Sequence, residues 1–173
     1  MKLIAKFILS LLLIVNLTAC TKDDGYIEDV NEKGLTTCPA DFSCKYFYIQ
    51  DADITQELIV PSKGNFRIFY SEFTTNFNTK TVFIKAPMRG DTFFLNDDDM
   101  KNGKALYFDN CALCLSIPVK VLGGSCKGRK INTNTANGTE RWLLETTLKL
   151  SSTVLNGQDT LHIKQYYDLK SGV

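Results

Sequence analysis

Cys111-Ala112-Leu113-Cys114 is the one spacing in this chain that invites chemistry. A CxxC pair runs thiol–disulfide exchange when a helix N-terminus lowers the pKa of its first thiol. It can also supply half of a zinc site. The redox use calls for a strand, then the pair, then a helix, and the following Leu115–Val121 reads as strand. Zinc calls for a second pair or nearby histidines. Cys38 and Cys44 have the wrong internal spacing for that, and His162 is the only histidine. The pair therefore reads as a structural disulfide element, and the chain calls for no metal or cofactor.

The densest acid cluster is Asn96-Asp97-Asp98-Asp99-Met100-Lys101-Asn102-Gly103. Oxygen ligands in a glycine-containing turn suit calcium, so Asp97, Asp98 and Asp99 are the metal candidates. The spacing departs from an EF-hand, because with Gly103 sixth Met100 falls on a ligand position. A solvated loop is the preferred reading. His162, with only Met88 and Met100 to help it in the body of the chain, offers little for haem ligation. There is no Gly-x-Ser-x-Gly, His-Glu-x-x-His or glycine-rich phosphate loop. With 19 acids the sequence leaves a carboxylate pair open.

The first residues concern address, not catalysis. Lys2 and Lys6 precede an almost wholly apolar run, Phe7–Leu17, of signal-peptide length and too short to span a bilayer. Leu17-Thr18-Ala19-Cys20 then resembles the lipobox of bacterial lipoproteins. The resemblance implies cleavage before Cys20, which then carries diacylglycerol and an N-acyl group, and several acyl chains give stable attachment. Thr21-Lys22-Asp23-Asp24 resembles the Lys-plus-acids signal of Bacteroidota-type outer-membrane lipoproteins displayed on the cell exterior, a periplasm-facing anchor being the alternative. The resemblance covers residues 1–24 only. It also brings in Asp159-Thr160-Leu161, which resembles the O-glycosylation sequon of such envelope proteins, with Thr160 as the acceptor.

Removing the 19 residues of the leader from 173 leaves 154, enough for one domain with a real core. The formal charge of +1 falls to about −1 without Lys2 and Lys6, so nothing favours nucleic acid. Lys127, Arg129 and Lys130 read as a solvated turn. Residues 20–37, acidic and poor in large apolar groups, read as a flexible tether, and residues 38–173 as a single domain.

Five cysteines remain after Cys20: Cys38, Cys44, Cys111, Cys114 and Cys126. An exported domain meets oxidising conditions, so disulfides are the default, and an odd count leaves one thiol over. The preferred pairing is Cys38–Cys44 around Pro39, with Cys126 joined to Cys111 or Cys114.

These groups must be positioned by strands. Glu140–Leu150 alternates apolar even positions with mostly polar odd ones, the period of a half-buried strand. Thr160–Tyr167 repeats the pattern, and Asn156-Gly157 between them is a strong two-residue hairpin signal. That turn places Leu150 opposite Ile163, Ser152 opposite Leu161 and Thr146 opposite Tyr167, with the apolar faces matched. It also sets Lys149 against Lys164. Further strands are expected at Lys45–Gln50, Glu57–Val60, Phe66–Phe73, Lys80–Lys85, Thr92–Leu95, Lys104–Phe108 and Ile117–Leu122, with one helical turn at Asp98–Asn102. Eight to ten short strands predict an all-β antiparallel sandwich, a closed β-barrel being the alternative.

Three functions fit this frame. The leading one is a non-catalytic binding or accessory module for a glycan or an envelope protein, since some of the many aromatics must point outward. The second is an inhibitor of secreted proteases, with Pro39–Ser43 and Cys111–Leu115 as its loops. The third is a thiol or carboxylate enzyme.

Overall fold

The computed structural model describes residues 30–57, 59–111, 119–131, 140–152 and 157–170. Among the described residues nine strands follow in chain order: β1 Ser43–Asp53, β2 Ser62–Lys63, β3 Phe66–Thr74, β4 Asn78–Pro87, β5 Thr92–Leu95, β6 Ala105–Cys111, β7 Val119–Ile131, β8 Arg141–Ser152 and β9 Gly157–Leu169. A short helix α1, Asp97–Asp99, runs into a π turn, Met100–Lys104, between β5 and β6. No helix among the described residues is long and apolar enough to cross a membrane.

The strands form one sheet in the order β5-β7-β8-β9-β1-β3-β4-β6, with β2 attached to β1. Every pairing is antiparallel except β1 with β9, which is parallel and pairs only Phe47 with Asp168 and Tyr48 with Leu169. The sheet is curled and open, a half-barrel. The all-β antiparallel class and the strand number agree with the sequence expectation. The two halves of the expected sandwich exist as facing halves of one sheet, because the short β1–β9 junction stitches them together.

Alternation sorts the side chains. Tyr46, Tyr48, Phe69, Phe73, Val82, Ile84, Trp142, Leu144, Leu148, Ile163 and Tyr167 belong to one cluster inside the curl. Trp142 and Tyr48 are fully buried there. Ile49, Ile54, Ile68, Tyr70, Phe83 and Leu106 form a second cluster on the other face of β1, β3, β4 and β6. On that face Phe47 stacks on Tyr70 at 4.6 Å, and Tyr70 meets Phe83 edge-on at 4.7 Å. The strands of this half are apolar on both faces, so a simple in–out alternation fails in places such as Ile68-Phe69-Tyr70.

The β8–β9 hairpin corrects the expected register. Thr146 lies opposite Ile163, Leu150 opposite Asp159, and Ser152 opposite Gly157. Gly157 pairs with Ser152 and so is not a turn residue, and residues 153–156 lie outside the described residues. The offset is even, so each side chain keeps its face. Electrostatics favours the observed register: Glu145 now faces Lys164 at 3.4 Å, and the Lys149–Lys164 clash disappears. In the expected strand Glu57–Val60 the described residues, Glu57, Ile59 and Val60, are not in a strand. Pairing there is limited to β2, and the tight return is fixed by the Gly64 N–H donating to the Asp51 carbonyl at 2.9 Å. A side chain at Gly64 would run into Asp53, which is why a glycine sits there.

Residues 30–37 are not a free tether. Thr36 N–H donates to Lys164 O at 2.9 Å, and Lys164 N–H donates to Thr36 Oγ1 at 2.8 Å. Gln165 Nε2 donates to Thr36 O at 2.6 Å, and Arg129 Nε donates to Val30 O at 2.9 Å. This strap uses the edge of β9 that β1 leaves unpaired. Lys127, Arg129 and Lys130 lie in β7, not in a turn, and Lys130 is ion-paired to Glu140 at 3.0 Å.

Candidate functional site

At one end of the curl lies a cavity of about 290 Å³. Its apolar wall includes Phe42, Phe73, Tyr107, Leu150 and Leu161, and its polar groups include Lys80, Asp159 and His162. The strand pattern explains the convergence. Phe73 in β3, Lys80 in β4, Tyr107 in β6 and Leu150 in β8 share the parity of the buried inner residues of their strands, as do Asp159 and Leu161 in β9. The curl brings β4 and β9, separated by β1 and β3 in the sheet, to face each other. The fourth side comes from the strap through Thr36 and Thr37, and from the disulfide loop through Pro39 and Phe42.

The electrostatics of the cavity are uneven. Burial pushes the Tyr107 hydroxyl up to about 12, and the nearby Asp109 and Asp159 carboxylates push the same way. Asp159 accepts the Thr160 N–H at 2.8 Å. Thr147 Oγ1 and His162 Nδ1 are 3.1 Å apart, which orients the imidazole. Lys80 lies directly opposite Asp109 in the β4–β6 ladder. One Asp109 carboxylate oxygen is buried without a hydrogen-bond partner.

A second charged constellation closes the other end. The Arg67 guanidinium lies over the Trp142 ring at 4.1 Å and donates to the carbonyls of Pro87 and Met88, both at 3.2 Å. Glu140 accepts from Trp142 Nε1 at 2.7 Å and pairs with Lys130. Burial would raise the Glu140 pKa, but these donors and charges outweigh it and hold the carboxyl below its ordinary range. Apart from Arg67 Nε, which is buried without a hydrogen-bond partner, these groups are engaged within the protein, so this constellation acts as a structural clamp.

Of the residues singled out in the sequence, Cys38 and Cys44 form the expected disulfide, with Cα atoms 5.8 Å apart. Cys111 is also disulfide-bonded. The expectation that Cys126 pairs with Cys111 or Cys114 is corrected: Cys126 is a free, fully buried thiol on the inner face of β7. Its thiol sits 3.1 Å from Thr146 Oγ1, and burial pushes its pKa up to about 12. Such a thiol is no nucleophile at neutral pH. Cys20 and Cys114 lie outside the described residues, as do residues 112–115 of one expected inhibitor loop. The other, Pro39–Ser43, is closed by the disulfide and mostly exposed. Thr160 is exposed in β9 at the rim of the cavity.

The calcium expectation for Asp97, Asp98 and Asp99 meets a different arrangement. Asp97 accepts from Lys101 at 2.6 Å, from the Gly124 N–H at 2.9 Å and from Lys149 at 3.1 Å. These partners, Lys101 first, hold its carboxyl well below the usual range. Asp99 is spent on a capping box: its N–H donates to Asn96 Oδ1 at 2.9 Å, and its carboxylate accepts the Asn96 N–H at 3.0 Å. Among the described residues no three acidic, histidine or cysteine side chains gather as a metal site.

Sequence reasoning did not single out Lys80, Tyr107 or Phe42 as cavity residues. The inward parity of Lys80, between apolar Val82 and the turn, was the available signal. Comparison with known proteins adds no relative: no family model matches this chain, and neither does any curated protein or any solved structure.

Proposed function

We propose that this chain is a lipid-anchored, non-catalytic binding module, tethered through Cys20 at the outer membrane and facing the cell exterior, that takes a glycan in the cavity at the end of the curl. The observation that carries this reading is the cavity itself. Its volume, about 290 Å³, suits a small group such as a terminal sugar, at the low end of ligand sites. Phe42, Phe73 and Tyr107 offer ring surface for the apolar face of a pyranose. Thr37, Thr160, Asp159 and Lys80 offer hydroxyl, carboxylate and ammonium partners for its hydroxyls. The disulfide beside Phe42 and the bonded strap hold two walls in place, so binding costs little ordering.

A glycan array probed with the full chain in detergent tests the reading. Retention of a defined set of saccharides, lost in Tyr107→Ala at unchanged melting temperature, is the expected result. An array without signal overturns it and moves weight to a protein partner from the envelope.

A second reading, inhibition of secreted proteases, has one observation in its favour. The Pro39–Ser43 loop is exposed and closed by the Cys38–Cys44 bond, and Phe77, 63% exposed, shares a surface hollow with Asp41 and Ser43. Inhibition of any member of an endopeptidase panel by stoichiometric protein would support it. Full activity across the panel would end it.

A further inference from the structure

We propose that the sugar taken by this cavity is an acidic one, a uronic-acid type of residue whose carboxylate is held by the Lys80 ammonium. The inference rests on the glycan reading above and adds the charge class of the ligand.

Lys80 carries the argument. It points inward from β4, is half-buried, and lines a cavity whose remaining wall is largely apolar. A cation in that setting is costly unless an anion or acceptor compensates it. The obvious compensator is Asp109, directly opposite in the antiparallel ladder and of opposite charge. The pair does not form. Among the described residues Lys80 makes neither an ion pair nor a hydrogen bond, and one oxygen of Asp109 stays buried without a partner. Six other lysines, Lys45, Lys85, Lys101, Lys130, Lys149 and Lys164, reach a carboxylate, and Lys104 and Lys170 lie over aromatic rings. Lys33, Lys63 and Lys120 make no ion pair either but are exposed to solvent, whereas Lys80 is half-buried. Lys80 is thus left available to the cavity, and a ligand carboxylate restores the missing partner.

The rest of the lining orients such a ligand. Asp159 reaches the cavity from β9, across the curl from β4, and one of its oxygens already accepts the Thr160 N–H. Its charge turns a carboxylate away from that wall and toward Lys80. Its second oxygen accepts a sugar hydroxyl. Thr37 and His162 complete the polar rim. A neutral sugar would leave the Lys80 ammonium without a bonded carboxylate, and an apolar acid without hydroxyls would leave the second oxygen of Asp159 without a donor.

The test is calorimetric titration of the full chain in detergent with three probes: an oligosaccharide ending in glucuronic acid, its methyl ester, and the counterpart ending in glucose. The expected result at low salt is binding of the acid at least tenfold tighter than either neutral probe, with the advantage shrinking as salt rises. Lys80→Met abolishes the preference, and Lys80→Arg retains it. Equal binding of the acid and its ester by the unaltered protein overturns the inference and leaves the glycan reading standing. That comparison needs no variant, so a Lys80→Met protein that folds poorly does not blur it. A preference that survives in a folded Lys80→Met protein also overturns it. Failure of all three probes, together with an array free of signal, overturns the glycan reading and this inference with it.

Discussion

The guanidinium of Arg67 lies 4.1 Å above the ring of Trp142, joining β3 to β8 across the interior of the curl. Arg67 is only 5% exposed and Trp142 not at all. Because β3 and β8 are not neighbours in the sheet, this contact holds the curl closed at the end opposite the cavity. Glu140, bonded to the Trp142 indole and to Lys130, completes the clamp.

Trp142→Ala removes the ring under Arg67 and a central piece of the inner cluster. It should cost about 3 to 5 kcal/mol, read as a shift in the urea midpoint. Arg67→Met keeps much of the volume but loses the ring contact and both carbonyl bonds, and should cost about 2 kcal/mol. A Trp142→Ala protein as stable as the parent would remove the clamp from the account of stability.

Acid should loosen the same clamp. The Glu140 carboxyl is held below its ordinary value near 4.5. A carboxyl depressed in the folded state stabilises the fold above its unfolded pKa, and that contribution is lost as pH falls through the folded value. Denaturant midpoints measured at pH 7 and near pH 3 should therefore differ more for the parent than for Glu140→Gln. Equal differences would show that Glu140 carries none of the acid sensitivity.

Cys126 should not react with a thiol reagent at pH 8 while the domain is folded. Burial pushes its pKa up to about 12, and it is fully inaccessible. Its thiol should become titratable in denaturant. Modification of Cys126 in the native protein, located by peptide mapping, would contradict its burial and reopen thiol chemistry.

Calcium should leave the melting temperature unchanged. Lys101 and Lys149 already occupy the Asp97 carboxylate, and Asp99 is committed to its cap. Melting curves in millimolar calcium and in EDTA should superimpose. A calcium-dependent rise that Asp97→Asn abolishes would restore the metal reading.

Much of the fold was legible before any coordinates. Alternation located β8 and β9, because a strand with one face in the core repeats every second residue. β-prone runs between turn residues located the cores of β1, β3, β4, β5 and β6 and the first residues of β7, whose remainder, with Lys127, Arg129 and Lys130, had read as a turn. The helical turn expected at Asp98–Asn102 falls within the helix Asp97–Asp99 and the π turn Met100–Lys104. Alternation misled where both faces are covered, and at Glu57–Val60, where an apolar run alone did not make a strand. The loop signal of Asn156-Gly157 named the right hairpin but the wrong register, because a turn motif ranks below the pairing of Glu145 with Lys164 and the other cross-strand contacts.

The candidate site was far less legible. Its lining comes from the strap, the disulfide loop and β3, β4, β6, β8 and β9, and no local pattern states that these meet. The residue types, their alternation and the odd cysteine count follow from the chain alone, since they depend on covalent order and on period. Which cysteine stays free, which ends of the strands meet, and that Lys80 is left without an acid depend on how the single sheet curls. That curl is set by the short parallel junction of β1 with β9 and the Arg67–Trp142 contact, both of them interactions between residues far apart in sequence.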